Sequence, residues 1–461
     1  MNARLDVAVR RGLLHWYEAG AKRRPTFRYW RELETSQWCD PAALETLQFA
    51  RLRQLLIHAQ STCHWYRDTW ADSGLDARRL AAPDDFRRWP VIDRDSIRQH
   101  GVAMRTTSSG VRLIHKATGG STGVPLSFDL DHDSNDRHMA ASHRGYGWAG
   151  AEPGTRQWYL WGVPPTSVAR WRQWKGRWYD RLYRRTTESC FLLGEPTVKR
   201  FFDSLARTRP DAIVAYTGAL YAFAQLLEER GLVPFSPGTI VVGAEKLHFF
   251  QREVIERVFR APVFETYGSR EFMLIGAECN RHAGLHLSVE NLVVEVVDDR
   301  GQPVAPGVEG RVVVTDLTNY GMPFIRYANG DLAVAGNTEQ CACGRHLPRL
   351  RAVLGRRLDV LTTPDGGRLP GEFFPHILKE LRGVRRFQVV QESPDGVTIR
   401  IVAPGWSPAD ERWLRTEIAA VVGPAFRVAI DRVDDIPLSA AGKLQVVVNR
   451  IESAASSKRT R

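Results

Sequence analysis

The pattern of hydrophobic and polar positions changes twice along the chain. Between residues 41 and 105 the apolar positions follow helical spacing. The residues on that helical face are Leu47, Leu52, Leu55, Leu56 and Ala59. From 110 to 330 short apolar runs alternate with amphipathic stretches, and after Gly355 the order becomes strand, strand, helix, strand. The pattern predicts a helical beginning, a long α/β middle and a small α+β end.

The middle region contains the clearest elements. The predicted strands are Ala212–Ala215, Thr239–Val242, Pro262–Phe264, Leu292–Val297 and Arg311–Asp316, and the predicted helices are Ala219–Arg230 and Phe249–Phe259. Strands that alternate with helices favour mainly parallel sheets with helices packed on them. Turn residues around Gly301 and Gly307 predict a more antiparallel β section before residue 330.

The last change of pattern predicts a domain boundary near residue 357. We expect a helical region of the large domain over 1–105, the core of that domain over 106–356, and a small C-terminal domain over 357–461. The elements predicted in the small domain are strands over Phe387–Gln391, Thr398–Ala403 and Ala425–Ile430 and a helix over Ala409–Val422.

The net charge of +12 raises the question of nucleic acid. The basic residues are dispersed and no zinc-finger, RNA-recognition or helix-turn-helix pattern accompanies them, so we expect no nucleic-acid partner. No apolar run approaches the ~20 residues that a membrane helix needs, and the first residues lack the apolar centre of a signal peptide. The sequence therefore favours a cytoplasmic protein.

The first 35 residues combine Trp16, Tyr17 and Trp30 with basic clusters at Arg10 and Lys22. Two interpretations fit this composition. One is a helical arm packed on the main domain, which we favour, and the other is peripheral membrane contact through a helix on the bilayer surface.

A run rich in glycine and hydroxyl groups is the strongest sign of chemistry. It consists of Thr118, Gly119, Gly120, Ser121, Thr122 and Gly123. Glycine lets successive backbone N–H groups point at one anion, and the hydroxyls add donors, so the run suits a polyphosphate. It matches neither the P-loop nor the dinucleotide-binding glycine motif. Taken alone, it fits a plain flexible loop equally well.

Five further motifs follow in order. They are Gly243-Ala244-Glu245, Tyr267-Gly268-Ser269-Arg270-Glu271, Arg326–Asp331, Gly355-Arg356-Arg357-Leu358-Asp359 and Gly442-Lys443. In this order and spacing, with the 118–123 run before them, they resemble the adenylate-forming superfamily of acyl-CoA synthetases. The similarity is greatest to its phenylacetate–CoA ligase-like branch, including members associated with capsular polysaccharide loci, and it extends from Gln48 to Val447.

The resemblance implies a fold and an activity. The fold would be a large adenylate-forming domain followed by a small mobile one. The activity would be that of an acid–thiol ligase, which uses ATP and Mg²⁺ to turn a small carboxylic acid into an acyl-adenylate and then lets coenzyme A displace AMP. Transfer to an amine, a sugar or a carrier protein is an alternative, and so is a non-catalytic homologue that only binds.

The resemblance also implies roles in nucleotide binding. Thr118, Ser121 and Thr122 would contact the β- and γ-phosphates, and residues 243–245 would line the adenine pocket. Tyr267 would stack on adenine, Ser269 would lie near the α-phosphate, and Glu271 would hold Mg²⁺.

Three further residues complete the predicted site. Asp331 can accept hydrogen bonds from both ribose hydroxyls, which makes it the strongest single candidate. Arg356 resembles the family arginine that meets ribose and phosphate. Lys443 can neutralise charge at the α-phosphate, and together with Glu271 and Thr118 it forms the predicted catalytic set.

Two positions depart from the family pattern. Val124 occupies a position where the family often has Lys or Arg, and Leu358 occupies the hinge position, where the family usually has Asp or Lys. These departures keep the non-catalytic alternative open.

Cysteines in two short segments predict a structural zinc site. Cys279, His282, Cys341 and Cys343 would supply four ligands, with His286 as a rival for the fourth position. The alternative is a reduced turn without metal.

Overall fold

In a computed structural model, the described residues are 3–118, 126–162, 170–190, 195–337, 339–354, 360–371, 373–378, 380–381, 383–384, 386–436 and 446–451. Within these ranges no helix is both long enough and apolar enough to span a bilayer.

The chain begins with helices, as predicted. They are α1 (Ala3–Trp16), α2 (Thr26–Ser36), α3 (Pro41–Thr62), α4 (His64–Asp72) and α5 (Arg94–His100). α3 begins where the Asp40 carboxylate accepts a hydrogen bond from the backbone N–H of Ala43, with Pro41 in the first turn. Its face carrying Leu52, Leu55 and Leu56 is buried.

One part of the N-terminal region is extended instead of helical. Ile92 pairs in parallel with Tyr327, donating its N–H to the carbonyl of Arg326 at 3.0 Å and accepting from the N–H of Ala328 at 2.8 Å. This pairing brings the beginning of α5 beside a strand more than 200 residues later in the sequence.

A hairpin and a large sheet form the middle region. The hairpin pairs β1 (Leu113–Ala117) with β2 (Ser127–Asp131). The large sheet contains β3 (Gln157–Trp161), β4 (Arg185–Ser189), β5 (Ala212–Tyr216), β6 (Thr239–Gly243), β7 (Val263–Ser269), β8 (Met273–Glu278), β9 (Leu285–Leu287), β10 (Leu292–Val297), β11 (Glu309–Asp316), β12 (Tyr327–Ala335) and β13 (Arg349–Val353). The helices between the strands are α6 (His132–Trp148), α7 (Arg170–Leu182), α8 (Glu195–Thr208), α9 (Thr217–Glu229) and α10 (Phe249–Phe259).

The strand order in the described part of the large sheet is β10-β11-β12-β13-β9-β8-β7-β6-β5-β3-β4. Strands β3 to β7 pair in parallel, and β7 to β13 pair antiparallel. The predicted parallel core and antiparallel section are therefore halves of one sheet, and β7 belongs to both.

The C-terminal region has the predicted strand–strand–helix–strand order. Its elements are β14 (Val360–Thr362), β15 (Arg368–Pro370), α11 (Phe373–Leu378), β16 (Arg386–Ser393), β17 (Gly396–Val402), α12 (Pro408–Val422), β18 (Arg427–Arg432) and β19 (Val447–Asn449). Four strands form a sheet in the order β18-β17-β16-β19. The predicted boundary near residue 357 lies outside the described residues.

Two buried arginines tie the antiparallel half to the rest of the fold. Arg144 on α6 makes a two-pronged ion pair with Glu290, at 2.5 and 3.1 Å. Arg326 pairs with Glu295 and also donates to the carbonyls of Trp89 and Gly301, at 2.7 and 2.8 Å. Removing one member of such a pair leaves an uncompensated buried charge, which is strongly destabilising. The Arg144 pair joins α6 to the segment before β10, and the Arg326 contacts join the beginning of β12 to β10 and to Trp89.

Candidate active site

Three side chains from β7 and β12 form a hydrogen-bonded group around Asp331. The Tyr267 hydroxyl donates to Asp331 Oδ2 at 2.9 Å, and Asn329 Nδ2 donates to the same oxygen at 2.9 Å. Asn329 Nδ2 also donates to the Tyr267 hydroxyl oxygen at 2.7 Å. Tyr267 and Asn329 are buried, whereas Asp331 is partly exposed. The carboxylate is therefore oriented from its buried side.

A second acidic side chain, Glu271, lies in the turn after β7. It is buried, and its Oε1 accepts a hydrogen bond from the Tyr327 hydroxyl at 3.2 Å. Gly268 makes this turn possible, because a Cβ there would lie 1.8 Å from the carbonyl oxygen of Met273. Ser269 Oγ accepts from the N–H of Phe272 at 3.4 Å, which closes the turn.

Arg94, the first residue of α5, supplies a positive charge to these groups. Its side chain hydrogen-bonds Tyr327 and interacts with Glu271 and Asp331. Burial opposes the charge on Arg94, but these neighbours outweigh it and raise its pKa above the ordinary value. We call Arg94, Tyr267, Glu271, Tyr327, Asn329 and Asp331 the Asp331 cluster.

Thr118 lies at the base of the glycine-rich loop. Its N–H donates to the carbonyl of Leu126 at 2.9 Å, and its hydroxyl accepts from the N–H of Leu126 at 3.0 Å. The two contacts hold the ends of the loop together and leave the hydroxyl proton for another acceptor. Gly119, Gly120, Ser121, Thr122, Gly123 and Val124 lie outside the described residues.

Two basic side chains lie near the base of this loop. Arg270 Nε donates to the carbonyl of Ala117 at 3.4 Å, and Lys116 Nζ donates to Asn135 Oδ1 at 2.8 Å. Burial, together with the positive charge of Arg270, lowers the pKa of Lys116 to about 8. This part of the structure therefore favours an approaching anion.

The segment 243–245 lies against the first turn of α9. Glu245 Oε2 accepts from the N–H of Gly218 at 2.6 Å, which satisfies one of the free donors of that helix. Ala244 has a φ of 69°, and a Cβ on Gly243 would lie 2.6 Å from Thr266 Oγ1. The carboxylate of Glu245 thus stabilises the helix, and contact of this segment with adenine stays a prediction.

Tyr267 is also part of the hydrophobic core. Its ring belongs to the apolar core beneath the antiparallel half. Stacking on adenine stays a prediction, and the geometry gives Tyr267 a second task, the orientation of Asp331.

Three predicted cysteines come together with a histidine on the other side of the β7–β8 hairpin. The ligand atoms of Cys279, His286, Cys341 and Cys343 all lie within 4.8 Å of one another. Cys279 Sγ and Cys341 Sγ are 3.8 Å apart, and Cys343 Sγ and His286 Nε2 are 3.5 Å apart. A tetrahedral zinc ion with ordinary bond lengths would place two sulfurs about 3.8 Å apart, and a sulfur and a nitrogen about 3.6 Å apart.

The histidine that the structure brings to these cysteines is His286, the rival candidate for the fourth position, and not the predicted His282. His286 is buried, and its Nδ1 lies 3.1 Å from the carbonyl oxygen of Leu347, which leaves Nε2 facing the sulfurs. Burial lowers the pKa of His286 to about 4, so the ring is neutral.

His282 belongs to a different group. Its Nδ1 lies 3.2 Å from Glu278 Oε2 and 3.2 Å from Arg252 Nη1. Because His282 is in the turn just after β8, where the chain reverses, its ring points away from the sulfurs although it is only three residues from Cys279. Spacing alone does not distinguish it from His286.

The chain is similar to known proteins over most of its length. Residues 361–450 match the family described as the CapK C-terminal domain. The chain is 22% identical to protein CapK of Staphylococcus aureus over 437 residues, which cover 94% of each chain. It is 27% identical to phenylacetate–coenzyme A ligase of Thermus thermophilus over 333 residues, 69% of this chain and 71% of the relative. The chain is therefore similar to CapK over nearly its whole length and to phenylacetate–coenzyme A ligase over two thirds of it, which supports the predicted resemblance to the adenylate-forming superfamily.

Solved structures agree on the fold. A 2-hydroxyisobutyryl-CoA ligase in complex with 2-HIB-AMP and CoA superposes with a TM-score of 0.61 and 20% sequence identity, over 92% of this chain and 94% of that one. The mixed α/β architecture with a small C-terminal domain is thus the fold of this superfamily.

Within this adenylate-forming fold, the predicted residues fall into three groups. Tyr267, Glu271 and Asp331 lie in one cluster, Thr118 lies at the loop base, and residues 243–245 lie at α9. Arg356, Leu358 and Lys443 lie outside the described residues. The sequence interpretation missed Arg94 and Asn329. Asn329 was within a recognised motif, but Arg94 had no local signal, because only the pairing of Ile92 brings it to the site.

Proposed function

We propose that the protein is an AMP-forming acid–thiol ligase, which joins a small carboxylic acid to coenzyme A at the expense of ATP. The observation that carries the proposal is the Asp331 cluster, in which a partly exposed carboxylate is oriented from behind by Tyr267 and Asn329. A ribose offers two neighbouring hydroxyl donors, which such a carboxylate can accept together.

The first half-reaction joins the acid to AMP. A carboxylate oxygen of the acid attacks the α-phosphorus of ATP, and the bond to pyrophosphate breaks. The protein contributes mainly by positioning the reactants and by placing charge where it develops. Thr118 and the loop after it would hold the β- and γ-phosphates, near the positive charges of Lys116 and Arg270.

Glu271 is the residue that would hold Mg²⁺. The donor set fits, since Mg²⁺ is commonly bound through one or two carboxylates together with substrate phosphates and water. The ion would supply neutralisation of phosphate charge. Tyr327 fixes one oxygen of Glu271, and the positive charge of Arg94 interacts with both Glu271 and Asp331.

The second half-reaction forms the thioester. The sulfur of coenzyme A attacks the acyl carbon, and AMP leaves with its phosphate oxygen. By resemblance, Lys443 serves the first half-reaction and Arg356 contacts the nucleotide, and the small domain turns between the two steps. Leu358 would then lie at the hinge, where only backbone rotation is required.

Zinc is part of the proposal as a structural ion. Cys279, His286, Cys341 and Cys343 would bind it with no open position, which is typical of structural sites and leaves no place for a substrate. The ion would join the turn after β8 to the segment before β13.

Pyrophosphate release and thioester formation, measured together over a panel of carboxylic acids, test this function. We expect at least one acid to release pyrophosphate and, when coenzyme A is added, to yield AMP and a thioester in equal amounts. Pyrophosphate release without a thioester would favour an amine, sugar or carrier-protein acceptor. If no acid gives ATP–pyrophosphate exchange while ATP still binds, the chain is a binding homologue.

A further inference from the structure

The first helix carries an apolar stripe that faces solvent. Leu5, Val9, Leu13 and Trp16 are 56%, 50%, 50% and 70% exposed. At 100° per residue these positions fall on one side of α1, and the buried Leu14 lies on the opposite side. Contiguous exposed apolar surface of this kind marks an interaction site on a folded protein.

α7 extends this stripe sideways. Trp174 and Trp178 are 71% and 43% exposed, and the ring of Trp178 contacts Tyr17, the neighbour of Trp16, with ring centroids 5.2 Å apart. Tyr179 on α7 and Tyr183 just after it donate to Glu18, just after α1, at 3.2 and 2.9 Å. These hydrogen bonds hold the end of α7 against the end of α1. We call the six exposed residues Leu5, Val9, Leu13, Trp16, Trp174 and Trp178 the α1–α7 surface.

The arm is packed on the main domain through other residues. Leu14, Phe27, Trp30 and Leu33 share a buried cluster with Ala140, Ala141 and Tyr183. Asp6 also pairs with Arg184 at 2.5 Å. The favoured expectation of a packed helical arm therefore agrees with the structure. The α1–α7 surface is additional to that packing, so the fold does not require its side chains to be apolar.

Basic side chains surround this surface. Lys175, Arg177 and Arg181 on α7 are exposed, as are Lys22 and Arg23 between α1 and α2, and Lys22 lies over the ring of Tyr17. Among the described residues, none of these five forms an ion pair with a carboxylate. The nearby acidic groups already have partners: Glu18 accepts from the two tyrosines, Asp6 pairs with Arg184, and Asp180 interacts with Arg185.

We infer that the α1–α7 surface docks on an anionic phospholipid membrane. Tryptophan rings and aliphatic side chains would enter the interfacial layer, where such side chains are favoured, and the bases would contact lipid phosphates. A second copy of the chain is a poorer occupant, because an isologous contact would bring the unpaired cations of both α7 helices together. Each base near an anionic bilayer strengthens binding by about fivefold.

Vesicle flotation tests this inference with the full chain. The vesicles are phosphatidylcholine alone, or equimolar phosphatidylcholine and phosphatidylglycerol, at low and at high salt. We expect binding to the anionic vesicles only, and weakening by salt because the attraction is screened. The pair Lys175→Glu and Arg177→Glu should weaken binding by about 25-fold or more. The pair Trp16→Ser and Trp174→Ser should also abolish flotation.

Matched controls distinguish this surface from general stickiness. Phe249 is 75% exposed on α10, so Phe249→Ser removes an exposed ring elsewhere. Arg412→Glu with Arg432→Glu reverses two exposed bases of the C-terminal region. Both controls should float like the wild type, and thermal melting should show every variant folded.

Several outcomes would overturn the inference. They are no flotation of the wild type with anionic vesicles, equal flotation with neutral ones, or surface variants that bind as well as the controls. A dimer in light scattering that the tryptophan pair dissolves would assign the surface to a second copy instead.

Discussion

The Asp331 cluster and the cysteine–histidine cluster lie at opposite ends of the β7–β8 hairpin, and they differ in how their side chains are arranged. In the cysteine–histidine cluster the four ligand atoms face one another, and three of the four residues are buried. In the Asp331 cluster the hydrogen-bond donors Tyr267 and Asn329 are buried, whereas Asp331 itself is partly exposed. A permanent ion calls for closure on all sides, whereas an exchanging substrate calls for rigid support on one side and access on the other.

The two clusters are also connected. Tyr267 lies on β7, and Cys279 follows β8 directly, so the β7–β8 hairpin carries one cluster at each end. If the two clusters differ in this way, substitutions in the cysteine–histidine cluster should reduce stability first, and substitutions in the Asp331 cluster should mainly reduce nucleotide binding.

Cys341→Ala should have the largest effect. It removes one of four proposed ligands, so the zinc content should fall from about one per chain to near zero, and stability should fall by about 4 kcal/mol. Elemental analysis and thermal melting measure both. Activity below the melting transition should fall much less. Zinc near zero in wild-type protein purified without chelator, with melting unchanged by EDTA, would make the cysteines an ordinary reduced turn.

Substitutions of His286 and His282 form a matched pair that tests which histidine binds the zinc. His286→Ala should lose zinc as Cys341→Ala does, whereas His282→Ala should keep it, because His282 contacts Glu278 and Arg252 instead of the sulfurs. The reverse result would return the fourth position to His282.

Asp331→Ala should weaken ATP binding and lower the melting temperature only modestly, because Tyr267 and Asn329 still hydrogen-bond each other when their shared acceptor is gone. Loss of a charged acceptor for ribose hydroxyls costs about 1.5–3 kcal/mol, or about 10- to 150-fold in affinity. Calorimetry with ATP measures it, and Asp299→Ala, an exposed aspartate on the hairpin between β10 and β11, is the control. An unchanged ATP affinity in folded protein would remove Asp331 from the ribose site.

Arg94→Met should have a smaller effect, because Arg94 acts through Glu271 and Asp331. We expect about a tenfold loss in kcat/KM, equivalent to about 1.4 kcal/mol. Because Arg94 interacts with both Glu271 and Asp331, the loss should include weaker ATP binding, which calorimetry on the folded variant measures. Arg98→Met on the same helix controls for the loss of an arginine. A lower melting temperature with unchanged ATP affinity in the folded variant would show that Arg94 only supports the fold.

The sequence predicted most elements because their signals are local. The bounds of β10 and α10 agree with the predicted Leu292–Val297 and Phe249–Phe259, since both are bounded by turns or caps and have clear periodicity. Asp331 and Tyr267 were found from motifs, but their hydrogen bond joins residues 64 positions apart and no local pattern encodes it. Arg94 and the choice of His286 over His282 depend in the same way on strand pairing and chain reversal.

Glu265 lies on β7, between the two clusters, and Glu265→Gln should change the pH dependence of stability, which is the smallest of the expected effects. Burial, together with the neighbouring Glu278 carboxylate, raises the pKa of Glu265 from 4.5 to about 7. Below pH 4.5 the group is protonated in both the folded and the unfolded chain. Between pH 4.5 and 7 only the unfolded chain loses the proton, so stability falls as pH rises, and above about pH 7 the loss is constant.

Glutamine resembles the protonated acid and cannot ionise. The melting temperature of Glu265→Gln relative to wild type should therefore rise between pH 4.5 and 7 and then level off, and Glu309→Gln at an exposed position of β11 should show no such trend. Because the hydrogen bond from the N–H of Leu247 to Oε1 at 3.1 Å can be kept by the amide oxygen, the trend reports ionisation and not a lost contact. ATP affinity should stay constant across the series, since Glu265 touches neither cluster directly. A parallel change in ATP affinity would mean that the hairpin transmits strain from its middle to the open site, and the separation between the two clusters would then fail.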